Sequence, residues 1–238
     1  MKKVKIIIPL YNEEESIPQL VEKLHALSFE LDSEYDASYL FVDDGSKDET
    51  FNLLRYELPK FKNAELLKHE ANKNLGGALK TGISHIEECD YVTFLDSDCT
   101  YEPTVLLEML SELKNGYDFV TASPYHPRGH VEGVPAWRLI LSKGLTFIYR
   151  FVLRKKIYTF TAMVRAIKFE HMKKLISERN DFTFVTVMMI KAIKENLQIS
   201  EVPATLCVRK YGVSKMNTLK TIKAQLKIVG MLILRDRL

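Results

Sequence analysis

Three short apolar runs, each followed by a polar and mostly acidic loop, restrict the fold of this chain more than any other feature of its sequence. They occupy residues 4–9, 39–42 and 91–95. Runs of this length, rich in β-branched and aromatic residues, are typical of strands that are buried on both faces of a parallel sheet. The sequence therefore predicts three such strands.

Segments in which apolar residues recur at helical spacing separate the runs. The first has Ser16 as its N-cap and Pro18 in its first turn, and three more lie at residues 48–58, 77–88 and 103–115. This alternation predicts one α/β domain over residues 1–238, with a mostly parallel, Rossmann-like sheet flanked by helices. Ligands bind beyond the carboxyl ends of the strands in such sheets, so we expect the loops after the runs to form the site.

Formal charge is divided unevenly along the chain. Residues 1–137 contain 13 Lys and Arg against 25 Asp and Glu, a net charge of −12, whereas residues 138–238 contain 21 against 6, a net charge of +15. This division indicates a metal-binding part joined to a part that meets anions such as phosphate, anionic lipid or nucleic acid.

Asp96 and Asp98 follow the third run directly, so both carboxylates are expected at a strand end. Two like charges there are costly unless a cation lies between them. Mg²⁺ prefers oxygen ligands and is commonly held by one or two carboxylates together with substrate phosphates. The pair therefore predicts a Mg²⁺ or Mn²⁺ site that neutralises a departing diphosphate, although an ordinary acidic turn would have the same sequence.

Two further segments allow a structural and a functional interpretation. In residues 43–50, Gly45 and Ser46 suit a turn before a helix, while Asp44 is a candidate contact for the base or ribose of a nucleotide. In the glycine-rich residues 74–82, close packing of a helix on the sheet is favoured over the binding of a phosphate by main-chain amides.

The loops taken together resemble glycosyltransferase family 2, which has the GT-A fold. The resemblance spans residues 4–98 and lies in the ordered motifs P-L-Y-N-E, V-D-D-G-S-x-D-x-T, the glycine-rich segment and D-x-D. It implies a nucleotide-sugar site and, within it, a metal site formed by Asp96 and Asp98. The implied nucleotide-sugar site consists of Pro9, Tyr11, Glu13, Val42, Asp44, Asp96, Ser97 and Asp98.

The second half resembles the polyprenyl-phosphate (dolichyl-phosphate) mannose synthase branch of that family. Matching segments include Trp137-Arg138, Glu201-Val202-Pro203 leading to Arg209, and residues 211–216. The resemblance implies that Arg138, Arg209, Ser214 and Lys215 hold the acceptor phosphate, and that Asp98, Arg138, Arg209 and Lys215 carry the catalysis. Guanidinium and ammonium groups suit phosphate oxygens.

Apolar and basic residues are interleaved at 139–156 and 219–229. Both segments suit a membrane interface, and the first is too short and too charged to span a bilayer. We expect a nucleotide-sugar-binding half at 1–120, an acceptor-binding half at 121–215 and an amphipathic basic helix at 216–238. Three widely spaced cysteines and the lack of a leader favour the cytoplasm, at the inner face of the membrane.

These features predict an inverting, metal-dependent transfer from a GDP- or UDP-sugar to a polyprenyl phosphate. One alternative is transfer to a saccharide or lipid hydroxyl with Asp181 as the general base. The other is a non-catalytic binder of phosphate or nucleic acid. The acidic first half with its donor-site motifs argues against a nucleic-acid partner.

Overall fold

The computed structural model of the protein describes residues 1–212 and 218–234. The strands within these residues are β1 (Lys2–Leu10), β2 (Tyr35–Asp43), β3 (Ala64–Lys68), β4 (Tyr91–Phe94), β5 (Phe119–Ser123), β6 (His130–Glu132), β7 (Arg165–Lys168), β8 (Ile199–Pro203) and β9 (Thr205–Cys207). The helices are α1 (Ile17–Leu31), α2 (Thr50–Glu57), α3 (Leu75–Ser84), α4 (Val105–Lys114), α5 (Ala136–Leu153), α6 (Phe169–Leu175), α7 (Thr183–Lys194) and α8 (Thr218–Ile233), and a 3₁₀ turn follows α2 at Leu58–Lys60.

Seven strands form one sheet in the order β3-β2-β1-β4-β7-β5-β8. Strand β7 runs antiparallel to β4 and β5, and the other pairings in this sheet are parallel. Strands β6 and β9 pair separately. The predicted α/β fold with a mostly parallel sheet is confirmed. Because β5, β7 and β8 come from later in the chain than the predicted strands, both halves of the sequence build this sheet.

The first strand shows why its sequence is apolar at successive positions. Ile6 and Ile8 pack among residues of α1 and α4, whereas Ile7 packs among residues of α3 and α7. Successive side chains of a strand point to opposite faces of the sheet. Helices cover both faces here, so each face requires an apolar side chain.

Three predicted helices lie close to their expected positions, as α1, α2 and α4. The helix predicted at 77–88 begins earlier, at Leu75, and ends at Ser84. Its glycine-rich sequence packs closely on the sheet, since a Cβ added at Gly82 would lie 2.7 Å from Ile7 Cγ2. The packing interpretation of this segment is thus supported at Gly82.

Helices α5 and α8 pack against each other. The Tyr149 hydroxyl of α5 donates a hydrogen bond of 2.8 Å to Gln225 Oε1 of α8, and both side chains are buried. The apolar residues of α8 are divided between the interior and the surface, because Val229 is buried whereas Leu219 and Leu226 are exposed. None of the helices in the described residues is both long enough and apolar enough to cross a bilayer.

Candidate active site

The polar loops that follow β1, β2 and β4 meet at one edge of the main sheet. Strand β1 pairs in parallel with β2 on one side and with β4 on the other. Because parallel strands end at the same edge, the loops at 11–13, 44–46 and 96–98 emerge side by side. The predicted position of the site is therefore supported by the topology of the sheet.

Hydrogen bonds tie the first loop to the second. The Asn12 amide donates to Ser46 Oγ at 2.9 Å, the Lys47 amide donates to Asn12 Oδ1 at 2.8 Å, and the Glu13 amide donates to Thr50 Oγ1 at 2.7 Å. Asn12 has a φ of 53°, a left-handed conformation that asparagine tolerates better than most residues. Ser46 and Thr50 therefore brace the first loop.

Asp44 is buried, and hydrogen bonds from neighbouring residues hold its carboxylate. His69 Nδ1 lies 2.7 Å from Asp44 Oδ1, and the Lys73 amide donates to the same oxygen at 2.8 Å. Burial raises the pKa of Asp44 above its ordinary value, and the hydrogen bonds from Lys73 and His69 oppose that shift. Asp44 is fixed in one orientation at the cleft.

Arg209 joins the first loop to the third. Its Nη1 donates to both carboxylate oxygens of Glu13 at 3.0 Å, and its Nη2 donates to Asp98 Oδ2 at 2.8 Å. The Thr100 amide donates to the other oxygen of Asp98 at 3.1 Å. Burial raises the pKa of Glu13, and the positive charge of Arg209 opposes this shift. Arg209 thus compensates the negative charges of Glu13 and Asp98.

Asp96 differs from Asp98 in its surroundings. Within the described residues, its carboxylate accepts no hydrogen bond and joins no ion pair. Burial, together with the negative charge of Asp98, raises the pKa of Asp96 well above its ordinary value. Three carboxylates thus surround the single guanidinium of Arg209, and one of them has no direct partner.

This arrangement fits a divalent cation. Asp96 and Asp98 offer the oxygen ligands that Mg²⁺ and Mn²⁺ prefer, and a bound cation would supply the positive partner that the Asp96 carboxylate lacks. The described residues contain no group of three or more His, Cys, Asp or Glu side chains placed to hold a metal ion. Mg²⁺ bound together with substrate phosphates is usually held by only one or two carboxylates, and Asp96 and Asp98 are two such groups.

The loops surround a cleft of about 280 Å³. Its walls carry seven of the eight predicted nucleotide-sugar residues. The residues that line it are Pro9, Leu10, Tyr11, Glu13, Asp44, Asn72, Asn74, Leu75, Ala78, Asp96, Ser97, Asp98, Met163, Phe182 and Arg209. Val42 is the exception, because its side chain is fully buried in the hydrophobic core.

A second and larger cleft, of about 880 Å³, opens beside the first. Apolar residues of α5 and α8 form much of its wall, including Leu139, Ile148 and Ile222. Arg138 also lines it and is exposed, with its guanidinium 5.3 Å from the centre of the Trp137 ring. Arg138 does not line the smaller cleft, so the structure brings Arg209 and Arg138 together only at the larger one.

Two predicted phosphate-binding residues, Ser214 and Lys215, lie outside the described residues. The glycine-rich helix start is already occupied, since the amides of Gly76 and Gly77 donate to the Asn180 carbonyl at 2.6 and 3.2 Å. These amides are therefore engaged within the protein and do not point at a phosphate.

Asp181, the base of the alternative mechanism, lies at the start of α7. Its Oδ1 accepts hydrogen bonds from the amide of Thr183, at 2.9 Å, and from the Thr183 hydroxyl. Asp181 lines neither cleft, whereas the adjacent Phe182 lines both. Its carboxylate is thus engaged by the first residue of α7.

His69 was not predicted as a site residue. It follows β3, a five-residue edge strand whose side chains are at most partly buried. The sequence signal for this strand is weak, because it lacks the continuous apolar run of β1. Recognition of β3 would have placed His69 at the same sheet edge as Asp44.

Comparison with known proteins shows relatives in one family. The family model "Glycosyl transferase family 2" matches residues 5–176. Polyprenol monophosphomannose synthase of Mycolicibacterium smegmatis is 30% identical over 229 residues, which cover 94% of this chain and 84% of that protein. Dolichol-phosphate mannosyltransferase of Pyrococcus furiosus is 29% identical over 226 residues, covering 90% of this chain but only 59% of that protein.

Solved structures with the same fold include complexes with divalent metal ions. Glucosyl-3-phosphoglycerate synthase from Mycobacterium tuberculosis, crystallised with Mn²⁺, UDP and glucosyl-3-phosphoglycerate, superposes with a TM-score of 0.73 at 17% identity, over 99% of this chain and 81% of that one. The same enzyme crystallised with Mg²⁺ and UDP also gives a TM-score of 0.73 at 17% identity, over 99% and 80% of the two chains. The family match, the 30% identical relative and the GT-A architecture agree with the motifs around the cleft, and the chain belongs to glycosyl transferase family 2 as a glycosyltransferase.

Proposed function

We propose that this glycosyltransferase moves a sugar from a GDP- or UDP-sugar to a polyprenyl phosphate at a membrane surface, with inversion at the anomeric carbon. The observation that carries the proposal is that the two clefts share Asp96, Asp98 and Arg209. A donor diphosphate in the smaller cleft and a lipid phosphate in the larger one would face each other across these side chains. The names of the two relatives, for polyprenol and dolichol phosphate, support this choice of acceptor.

The smaller cleft suits the donor. Its lining includes Tyr11 and Asp44, together with the two carboxylates of Asp96 and Asp98. A Mg²⁺ or Mn²⁺ ion bound by Asp96 and Asp98 would neutralise the charge that develops on the departing diphosphate. The complexes of the structural neighbour with UDP and either ion support a donor and a metal of this kind.

The larger cleft suits the acceptor. Apolar side chains of α5 and α8 would cover the first isoprene units, and Arg138 and Arg209 would hold the phosphate. Lys215 would add a third cation, as the resemblance implies. Bidentate arginine contacts match the geometry of phosphate oxygens.

The reaction then needs no general base. A phosphate monoester is already ionised at neutral pH, so one of its oxygens can attack the anomeric carbon directly. The new bond joins that oxygen to the carbon, the bond from the carbon to the diphosphate oxygen breaks, and its electron pair leaves with the nucleoside diphosphate. Arg209, between the two clefts, would stabilise negative charge on both phosphates. No observation favours Asp181 as a base for a hydroxyl acceptor.

Exposed apolar side chains support a membrane contact. Ile140, Phe147 and Phe151 of α5 are 70%, 70% and 78% exposed, and Leu219 of α8 is 74% exposed. Residues 140, 147 and 151 share one helix face, because residues 147 and 151 follow residue 140 by about two and about three helical turns, respectively. We place this surface in the interface at the inner, cytoplasmic face of the membrane. In this scheme residues 1–120 supply most of the donor site, α5 and α8 line the acceptor cleft, and the exposed faces of the same two helices contact the membrane.

A transfer assay tests the proposal. Purified protein is incubated with GDP- and UDP-sugars, Mn²⁺ or Mg²⁺, and a short-chain polyprenyl phosphate, and products are identified by mass spectrometry and the anomeric configuration by NMR. The free polyprenol is the control acceptor. We expect an inverted product with the phosphate and none with the alcohol. Transfer to the alcohol, or no transfer with any sugar, would overturn the proposal.

Arg138→Ala tests the acceptor site separately. It should raise the KM for the lipid phosphate at least about 10-fold, as expected for loss of a charged hydrogen bond, and leave the KM for the donor unchanged. Arg154→Ala, a charge removal at the exposed C-terminal end of the same helix, is the matched control. Equal effects of the two variants would argue against a role for Arg138 at the phosphate.

A further inference from the structure

His69 is a buried, polar residue that the proposed mechanism does not use. It is 6% exposed, contacts Asp44 and does not line the smaller cleft. Its Nδ1 is 2.7 Å from Asp44 Oδ1, and its Nε2 is 2.9 Å from Thr81 Oγ1 on α3. The imidazole therefore links the second loop to a helix that covers one face of the sheet.

The direction of these hydrogen bonds follows from the chemistry of the groups. An ionised carboxylate can only accept, so Nδ1 must carry a hydrogen and donate to Asp44. In the neutral ring, Nε2 then accepts from the Thr81 hydroxyl. This pair of contacts holds the imidazole plane, and with it the carboxylate, in one orientation.

The two oxygens of Asp44 consequently differ. Oδ1 receives hydrogen bonds from His69 and from the Lys73 amide, at 2.7 and 2.8 Å. The Asn74 amide also donates to this carboxylate, whose second oxygen, Oδ2, keeps acceptor capacity because each carboxylate oxygen has two lone pairs, and Asp44 lines the smaller cleft. A ligand group that meets Oδ2 must therefore be a hydrogen-bond donor.

We propose that His69 is a positioning residue which, supported by Thr81, holds Asp44 so that Oδ2 accepts a hydrogen bond from the nucleoside of the donor. The inference rests on the proposed function, because it requires a nucleotide in the smaller cleft. A nucleoside has several groups that donate to such an oxygen, namely the ring N–H of uracil or guanine, the 2-amino group of guanine and the hydroxyls of ribose. His69 thereby contributes to nucleoside affinity without touching the nucleoside.

Three substitutions distinguish the loss of the hydrogen bond to Asp44 from the loss of side-chain volume. His69→Leu removes the hydrogen bond to Asp44, and His69→Asn places an amide N–H close to the position of Nδ1. Thr81→Val leaves the ring but removes its support. His85→Leu is the matched control, because His85 Nε2 also contacts a carboxylate, Glu65 Oε2 at 2.8 Å, between α3 and β3 but at the surface.

Affinity is measured by calorimetry for UDP and GDP with Mn²⁺, and for pyrophosphate with Mn²⁺ as a ligand without a nucleoside. His69→Leu should weaken the better nucleotide roughly 10- to 100-fold, the range for loss of a hydrogen bond to a charged group. It should leave pyrophosphate unchanged. His69→Asn should restore most of the affinity, Thr81→Val should give an intermediate loss, and His85→Leu should match wild type.

Kinetics and ligand analogues provide the second readout. We expect His69→Leu to raise the donor KM and to leave kcat at saturating donor unchanged, since the reacting atoms are not touched. The N-methylated base analogue and the 2′-deoxy analogue of the better nucleotide each lack one candidate donor group. The analogue whose affinity no longer responds to His69→Leu identifies the group that meets Asp44.

The two proposals fail in different ways. If wild-type protein binds neither nucleotide with Mn²⁺, the proposed function fails. If it binds one and His69→Leu binds that nucleotide equally well, the positioning role is wrong. It is also wrong if His69→Asn is as damaging as His69→Leu, or if pyrophosphate loses as much affinity as the nucleotide. If His69→Leu does not fold, the nucleotide affinity of Thr81→Val still tests the positioning role.

Discussion

Arg209 donates from two nitrogens, Nε and Nη2, to a single oxygen of Asp98, Oδ2, at 3.0 and 2.8 Å. The two residues are 111 positions apart in the chain. Through Nη1 the same guanidinium reaches Glu13, and it also lines both clefts. Arg209 is thus the cation that holds the acidic loops together before any ligand is bound.

Removal of Arg209 should destabilise the ligand-free protein. Arg209→Ala leaves Glu13 and Asp98 without their shared cation, and loss of one partner of a largely buried ion pair costs about 3 kcal/mol. Denaturant unfolding measures this change, and Mn²⁺ should recover part of it. Arg128→Ala, at an exposed position, is the control and should unfold like wild type. An unchanged midpoint for Arg209→Ala would contradict the assigned role.

Asp96→Asn should separate stability from cation binding. The ionised carboxylate has no direct partner in the described residues, so its neutralisation should leave the ligand-free melting temperature equal to wild type or higher. The extra stabilisation by a nucleoside diphosphate with Mn²⁺ should be lost, because a ligand stabilises only the state that binds it. Asp118→Asn removes a carboxylate paired with Lys168 and serves as the control that keeps this response. A full Mn²⁺ response in Asp96→Asn would exclude it as a ligand.

Nucleotide affinity should fall at low pH through Asp44. The ionised carboxylate of Asp44 can accept hydrogen bonds at both oxygens, whereas protonation places a hydrogen on one of them. Burial raises the pKa of Asp44 above its usual 3.8. Affinity should therefore be constant above that raised pKa and decrease as pH falls through it. His69 is the titratable side chain in contact with Asp44. Asp44→Asn is the control, because the nucleotide and the other ionisable groups titrate in it as they do in wild type. Identical pH profiles of nucleotide affinity in wild type and Asp44→Asn would refute the prediction.

The exposed phenylalanines of α5 should govern attachment to lipid vesicles. Burial of one such side chain stabilises by about 2 kcal/mol, so Phe147→Ser with Phe151→Ser should abolish most vesicle binding in a sedimentation assay. Transfer to a short-chain, water-soluble phosphate should persist. Phe29→Ser, at an aromatic that is 80% exposed on α1, is the control. Unchanged binding of the double variant would argue against this surface.

Gly82 should tolerate no side chain. An added Cβ would lie 2.7 Å from Ile7 Cγ2, so Gly82→Ala should lower the free energy of unfolding by about 1–3 kcal/mol through overpacking. Gly230→Ala is the matched control on α8, where a Cβ meets no atom within 4 Å. It should be neutral or stabilise by up to about 1 kcal/mol, because alanine favours a helix. Chemical denaturation measures both, and equal effects would contradict close packing at Gly82.

Local sequence patterns were sufficient to predict the central strands, four helices and the loops that carry seven of the eight predicted nucleotide-sugar residues. These features depend on local patterns, because apolar periodicity and strand-end loops are properties of neighbouring residues. The same patterns misplaced the end of α3 and did not reveal β3. Motif order also indicated Arg209, but not what it contacts.

Contacts between distant groups became visible in the three-dimensional fold. It inserted β7 antiparallel between β4 and β5, placed the side chain of Val42 in the core, and brought His69 into contact with Asp44. It also joined the two clefts at Arg209. Such contacts depend on strand pairing and on how helices cover the sheet, and a window of sequence contains neither, because both are set by packing between segments far apart in the chain.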